Sequence, residues 1–380
     1  SYAAFPADTV LSHAFNLATW NSSGWETLNA TAPIVACKFL RNQTVPVFEV
    51  GNAPDLYEPE GRRPASYSVE DYLSEWRQQT ARLEERLRES CPEVAGKGLS
   101  REEAGKIGLV SARESMGGAR RPNVTMESTL LNHTAVVEAV ARHVGYAMDA
   151  QDSVEAPYVI GELNSLDGGG AEDLTDTFAS ALWALDFALC AASSGVIKRV
   201  HFHQAVKAPS AAWWPVRPVR TKATFYGMLA AATFLANSTE LAVQEFDLVT
   251  REDGDGDAGT ASGYKGYVDG ELRRVAVLNL NLDYSRQGRK GRRKIRFFVV
   301  DVGQANSRWE IQRLTAPSAY SKDRISFNGF HYSPDSMGAH GHAVDVVHKD
   351  TDEAIWSNGK GELVLHVADS EAVVVLKNDT

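Results

Sequence analysis

Glu162 closes an apolar run, "APYVIGE", and a glycine-rich turn, "LNSLDGGG", follows it at once. A carboxylate at the end of a buried strand is held rigidly while the loop beyond admits a substrate, so it suits a nucleophile or a proton carrier. A turn or helix-capping carboxylate is the competing reading of the same residue. The second such strand end is "VPVFEVGNAPDLY", where Gly51 and Pro54 mark a turn and Asn52 offers an amide to a substrate hydroxyl. Trp213 and Trp214 follow the last strand of this half, and their flat faces suit the apolar face of a pyranose.

Other chemistries find less support. His201 and His203 alternate with Phe202 on a strand, and no Asp or Cys stands at ligand spacing. No metal site and no cofactor is expected. Ser111 and Ser115 lack a nearby His with an acid partner, which argues against a serine hydrolase. His331 and Tyr332 read as surface residues. In "REDGDGDAG", Asp253, Asp255 and Asp257 occupy the first three ligand positions of a calcium loop. Ala258 replaces the turn glycine and Tyr264 the bidentate glutamate, so a solvated tip fits better. The basic run Arg286 to Arg296 fits a solvated loop or a patch for an acidic polysaccharide.

Strands and helices must position these groups. Up to about residue 236, strand-like and helix-like segments alternate, as in a parallel α/β domain. Strand signals at 8–15, 106–111 and in "VIKRVHFHQ" join the two strands above. Helical patterns run over 24–40, 69–90, 133–149, 174–192 and 224–235. In the long amphipathic pattern, Val69, Tyr72, Leu73, Trp76, Leu83 and Leu87 form the apolar stripe. From residue 237 the period shortens to seven strand-like segments, at 264–268, 273–282, 295–302, 309–314, 343–347, 363–367 and 372–376, which predicts an antiparallel β-sandwich. The expected domains are residues 1–236 and 237–380.

The 380 residues, 43% apolar and 23% charged, exclude disordered and fibrous classes. A net charge of −10 argues against a general nucleic-acid binder. The most apolar stretch, 178–197, is interrupted by Asp186, so no membrane span is expected. Three cysteines exclude a disulfide framework, and Cys37 with Cys91 is the plausible pair once Cys190 is placed in an apolar helix. Glycosylation sequons at Asn21, Asn29, Asn42, Asn123, Asn132, Asn237 and Asn378 point to a secreted glycoprotein.

Seven segments together carry a family resemblance: the "GN-P-DLY" residues around Asn52, "LLNHTAVV", "GELNSLDGGG", "ALWALDFALCAASSGV", "RVHFHQ", "LTAPSAYSK" and "ADSEAVVVL". The chain resembles glycoside hydrolase family 79, the β-glucuronidase and heparanase family, over most of its length. The resemblance implies a (β/α)8 barrel with an appended β-sandwich, a substrate containing glucuronic acid, and a retaining mechanism run by two glutamates about 5–5.5 Å apart. It makes Glu162 the nucleophile and Asn52, Asn164, His203, Gln204 and Trp213 substrate contacts.

The chain also departs from the pattern. The family's acid/base is the Glu of Asn-Glu-Pro, and here the motif reads Asn52-Ala53-Pro54. Ala53 can neither donate a proton nor activate water. Glu49, four residues back, is not its replacement and reads as structural. A His-x-Tyr element expected beside the nucleophile is matched by Arg113-Glu114-Ser115, and Ala205 stands where a glycine is expected in the loop meeting the glucuronate carboxylate. The first barrel strands are expected to be missing, with a separate N-terminal segment completing the barrel or the chain being a truncated reading of the enzyme. The expectation is a retaining β-glucuronidase of weak or no activity, with a noncatalytic acidic-glycan binder as the alternative.

Overall fold

The computed structural model describes residues 9, 11–18, 22–41, 47–95, 107–119, 121–214, 220–236, 240–250, 259–283, 292–332 and 353–377. The expected strand at 343–347, the sequons at Asn21, Asn42, Asn237 and Asn378, the three aspartates of the acidic run and residues 286–291 of the basic run lie outside them. Two compact units emerge: residues 1–110 with 149–157, and residues 111–148 with 158–380.

In the first unit, β1 (Ser12–Phe15) and β2 (Val47–Val50) pair in parallel, with Phe15 opposite Val50. Between them runs α1 (Ser22–Ile34), which continues as a π-helical turn over Val35–Leu40. α2 (Val69–Ser90) starts in a capping box, the Ser68 hydroxyl accepting from Asp71 N–H and the Asp71 carboxylate from Ser68 N–H. Leu83 and Leu87 are buried and Tyr72 and Trp76 pack on the same core, as expected. Val69 and Leu73 are exposed instead, and Gln79 is buried one turn beyond Trp76. A short α3 (Pro92–Ala95) follows, and a disulfide joins Cys37 to Cys91. This pairing matches the expectation.

The second unit opens with β3 (Val110–Ser115), four residues later than the sequence pattern suggests. α4 (His133–Gln151) leads to β4 (Tyr158–Asn164), and α5 (Phe178–Ser193) leads to β5 (Ile197–Phe202). The sheet order is β3-β4-β5, and β4 and β5 run parallel. β6 (Trp213–Trp214) and β7 (Arg220–Thr221) form a small antiparallel pair ahead of α6 (Ala223–Leu235). α6 lies against α5 so closely that a Cβ on Gly227 would meet the Ala181 carbonyl oxygen at 2.0 Å. Only glycine fits there.

From residue 241 the strands form two antiparallel sheets. One has the order β14 (Ser326–Phe327), β13 (Arg308–Thr315), β17 (Glu371–Lys377), β11 (Glu271–Asn279), β10 (Ala261–Val268), β8 (Leu241–Glu245), with β15 (Glu353–Trp356) added on β13. The other runs β16 (Leu363–Ala368), β12 (Lys294–Val299), β9 (Val249–Thr250). Inward residues of both sheets share one core, Val277, Trp309 and Val375 from the first with Phe297, Leu365 and Val367 from the second.

The secondary structure changes character near residue 236, yet both sides of that point belong to one compact unit. A buried polar network shows why. Asp186 of α5 accepts hydrogen bonds from Ser262 (2.6 Å) and Tyr264 (2.7 Å) of β10, and its other oxygen lies 3.0 Å from His133 Nδ1. His133 Nε2 lies 2.9 Å from Glu245 of β8. Among the described residues no helix is long and apolar enough to cross a membrane.

Candidate functional site

Glu162 lies near the C-terminal end of β4, half-buried, and no hydrogen bond or ion pair holds its carboxylate among the described residues. The strand presses so close to β3 at this point that a Cβ on Gly161 would meet Ser111 Oγ at 2.1 Å. Leu163 O accepts from His203 N–H at 2.8 Å, tying the end of β4 to the end of β5. Asn164 and Ser165, next along the chain, are buried, and the Ser165 hydroxyl has no partner among the described residues.

The loop after β4 turns on Gly168, Gly169 and Gly170, all at positive φ. Gly169 O accepts from both the amide (3.3 Å) and the hydroxyl (3.0 Å) of Ser210, so the loops after β4 and β5 dock on each other. His203 keeps a buried Nδ1 without a partner among the described residues. Gln204 is more committed. Its Nε2 donates to Trp213 O (2.5 Å) and its Oε1 accepts from Ala212 N–H (2.9 Å), so it positions Trp213. Trp213 is half-buried, and Trp214 donates from its indole to Ala208 O at 3.2 Å. The ends of β4 and β5 and the loops after them thus carry Glu162, Asn164, His203, Gln204 and Trp213.

Arg113-Glu114-Ser115, the place of the expected His-x-Tyr, lies on β3. Glu114 accepts from Arg142 (2.9 Å) and lies 3.2 Å from His143 Nε2, whose Nδ1 is 2.8 Å from the Tyr158 hydroxyl. Burial disfavours ionisation of Glu114, but the His143 hydrogen bond and the Arg142 charge outweigh it and hold the carboxyl below its usual range. Burial pushes Tyr158 up to about 12. Sequence reasoning missed this relay, because its three members are joined across three elements.

Asn52, Ala53 and Pro54 follow β2 in the first unit. Gly51, at φ 92°, donates to Phe15 O (2.9 Å), and Asn52 N–H donates to the Tyr57 hydroxyl (3.4 Å). Tyr57 is buried under Arg63, whose guanidinium lies 5.3 Å from the ring. Arg63 in turn pairs with Glu75 (2.8 Å) and donates to Leu17 O and Ala18 O. Ala53 sits in the left-handed region, φ 48° and ψ 58°, with only a methyl to present. The Asn52 side chain is exposed.

Of the sequons, Asn29 and Asn123 are exposed. Asn132 caps α4, its Oδ1 accepting from Ala135 N–H at 3.0 Å. Among the described residues no group of three metal-ligating side chains assembles.

Residues 263–374 match the model for the glycosyl hydrolase family 79 C-terminal β domain. A β-glucuronidase of Aspergillus niger is 32% identical over 417 aligned residues, spanning 99% of this chain and 74% of that protein. A β-glucuronidase of Neurospora crassa is 34% identical over 62% of this chain and 48% of its own length. Among solved structures, the 4-O-α-L-rhamnosyl-β-D-glucuronidase of Fusarium oxysporum 12S superposes with a TM-score of 0.68 at 18% identity, over 96% of this chain and 76% of that one. The α-L-arabinofuranosidase of Thermotoga maritima follows with a TM-score of 0.56 at 13% identity, over 96% and 75%. At these identities the structural likeness speaks for fold alone, that of the barrel glycosidases with a β-rich C-terminal domain.

Proposed function

Because this chain belongs to glycoside hydrolase family 79, we propose that it recognises glucuronic-acid-containing glycans and retains the nucleophilic half of a retaining glycosidase. Glu162 is the nucleophile. The observation that carries this reading is a half-buried carboxylate, held by no other side chain among the described residues, at the end of a parallel strand. The neighbouring strand end carries His203, whose Nδ1 has no partner among the described residues, and Gln204, which positions Trp213. We read the five strands β1 to β5 as barrel strands, residues 237–380 as the appended β-sandwich, and the chain as a secreted glycoprotein modified at exposed Asn29 and Asn123. The Cys37–Cys91 disulfide supports an oxidising compartment.

Ala53 occupies the acid/base position by its place in the Asn-Ala-Pro motif. Without a proton donor, a natural glycoside loses about 10²–10⁴-fold in rate, while an activated aryl glycoside, whose leaving group needs no proton, still glycosylates Glu162. Azide then stands in for base-activated water. Release of aryl alcohol from an aryl β-glucuronide should rise with azide and vanish in Glu162→Gln. No release in either condition, from a protein that melts cooperatively, sinks the enzymatic reading and leaves a noncatalytic binder of acidic glycans.

A further inference from the structure

Lys222 precedes α6 at the rim just described and is half-buried. Among the described residues no carboxylate or carbonyl accepts from its Nζ, which lies 4.5 Å from the centroid of the Trp214 ring. The exposed Arg220 guanidinium stands 5.9 Å from the same ring. Elsewhere in this unit exposed Lys322 binds Asp173 (2.7 Å) and Asp176 (2.8 Å), and partly buried Arg313 binds Glu353 (2.5 Å) and Glu371 (2.8 Å). Burial pulls Lys222 below its usual range, Asp176 and Glu172 oppose the fall, and Lys322 and Arg220 add to it. An ammonium partly stripped of water, set beside a ring quadrupole and accepted by no carboxylate among the described residues, is matched to an incoming anion.

Its place in the fold says which anion. Lys222 N–H donates to Ala212 O at 2.8 Å, and Ala212 N–H donates to Gln204, the residue that also holds Trp213 O. The cation is thereby tied to the aromatic platform and, through Gln204, to the end of β5 beside the strand that carries Glu162. We propose that Lys222, with Arg220 in support, reads the carboxylate of a uronic acid bound at this rim, and so selects acidic over neutral glycans. This rests on the glucuronide reading of the Glu162 rim and adds to it the residue that sets charge specificity.

The test needs binding only. The full chain is titrated at low salt with methyl β-D-glucuronide and with the methyl ester of the same sugar, which keeps shape and loses charge. Wild type should bind the acid at least about tenfold more tightly than the ester, the size expected of one charge-assisted contact. Lys222→Met should bring the acid to the ester's affinity and leave the ester unchanged, which also reports an intact site. Lys222→Arg should keep the preference, and Lys222→Gln replaces the methionine variant if that does not fold. Equal binding of acid and ester by wild type, or a full preference kept in Lys222→Met, overturns the proposal while the glucuronide reading stands. Binding of neither ligand by wild type overturns both.

Discussion

Two strand ends, one at β2 and one at β4, show opposite relations between scaffold and chemistry. At β2 the loop is braced by Gly51, Tyr57 and the Arg63–Glu75 pair, and it delivers a methyl group in a left-handed conformation. At β4 nothing among the described residues holds the carboxylate of Glu162, and the bracing lies in the Leu163–His203 and Gly169–Ser210 hydrogen bonds. The backbone path at β2 is therefore set by neighbours and not by residue 53, since an L-residue at positive φ costs about 1 kcal/mol or more and nothing about alanine favours it.

That contrast is open to direct attack. If position 53 lacks only its carboxyl, Ala53→Glu should raise hydrolysis of glucuronides with poor leaving groups by about 10²–10⁴-fold and remove the need for azide. No gain would mean that the β2 end has lost more than its proton donor. Removing the disulfide that braces the first unit, as Cys37→Ser/Cys91→Ser, should cost about 4 kcal/mol for a crosslink of sequence separation 54, measured by urea denaturation. Destabilisation near zero would show that the first unit is held by its core alone.

In the second unit the largest single loss should come from His133→Ala, about 3 kcal/mol, because it leaves Asp186 buried without its cation. The same group predicts a pH dependence. Burial opposes the imidazolium, but Asp186 and Glu245 outweigh it and push His133 from 6.5 up to about 10. A folded-state value above the unfolded one means the stabilisation is complete below about pH 6.5 and is lost as pH rises through about 10. Melting temperature should fall across that window in wild type and fall less in His133→Ala; parallel curves would remove His133 from the account. The smallest effect belongs to Ala53→Gly, which relieves the left-handed strain and should stabilise the chain by about 1 kcal/mol in the same denaturation assay.

The alternation of strand and helix, the shortening of the period after residue 236, the Cys37–Cys91 pair and the positions of Glu162 and Ala53 were all legible in the linear chain, because periodicity, turn residues and motif spacing are local properties. β3 was misplaced by four residues, since 110–115 reads as a polar segment until Glu114 is seen against His143. Gln79 taking an inward place on α2, the closure of Asp186 onto His133, Ser262 and Tyr264, and the use of both Gln204 amide atoms to hold Trp213 depend on partners far away in sequence. Lys222 is the sharpest case. In the chain it is one cation among 39, and only the fold sets it against Trp214 with no carboxylate accepting from it among the described residues. Residue type and spacing determined which groups could do chemistry; tertiary packing decided which charges are satisfied and which are left for a ligand, because desolvation and pairing are properties of neighbours in space.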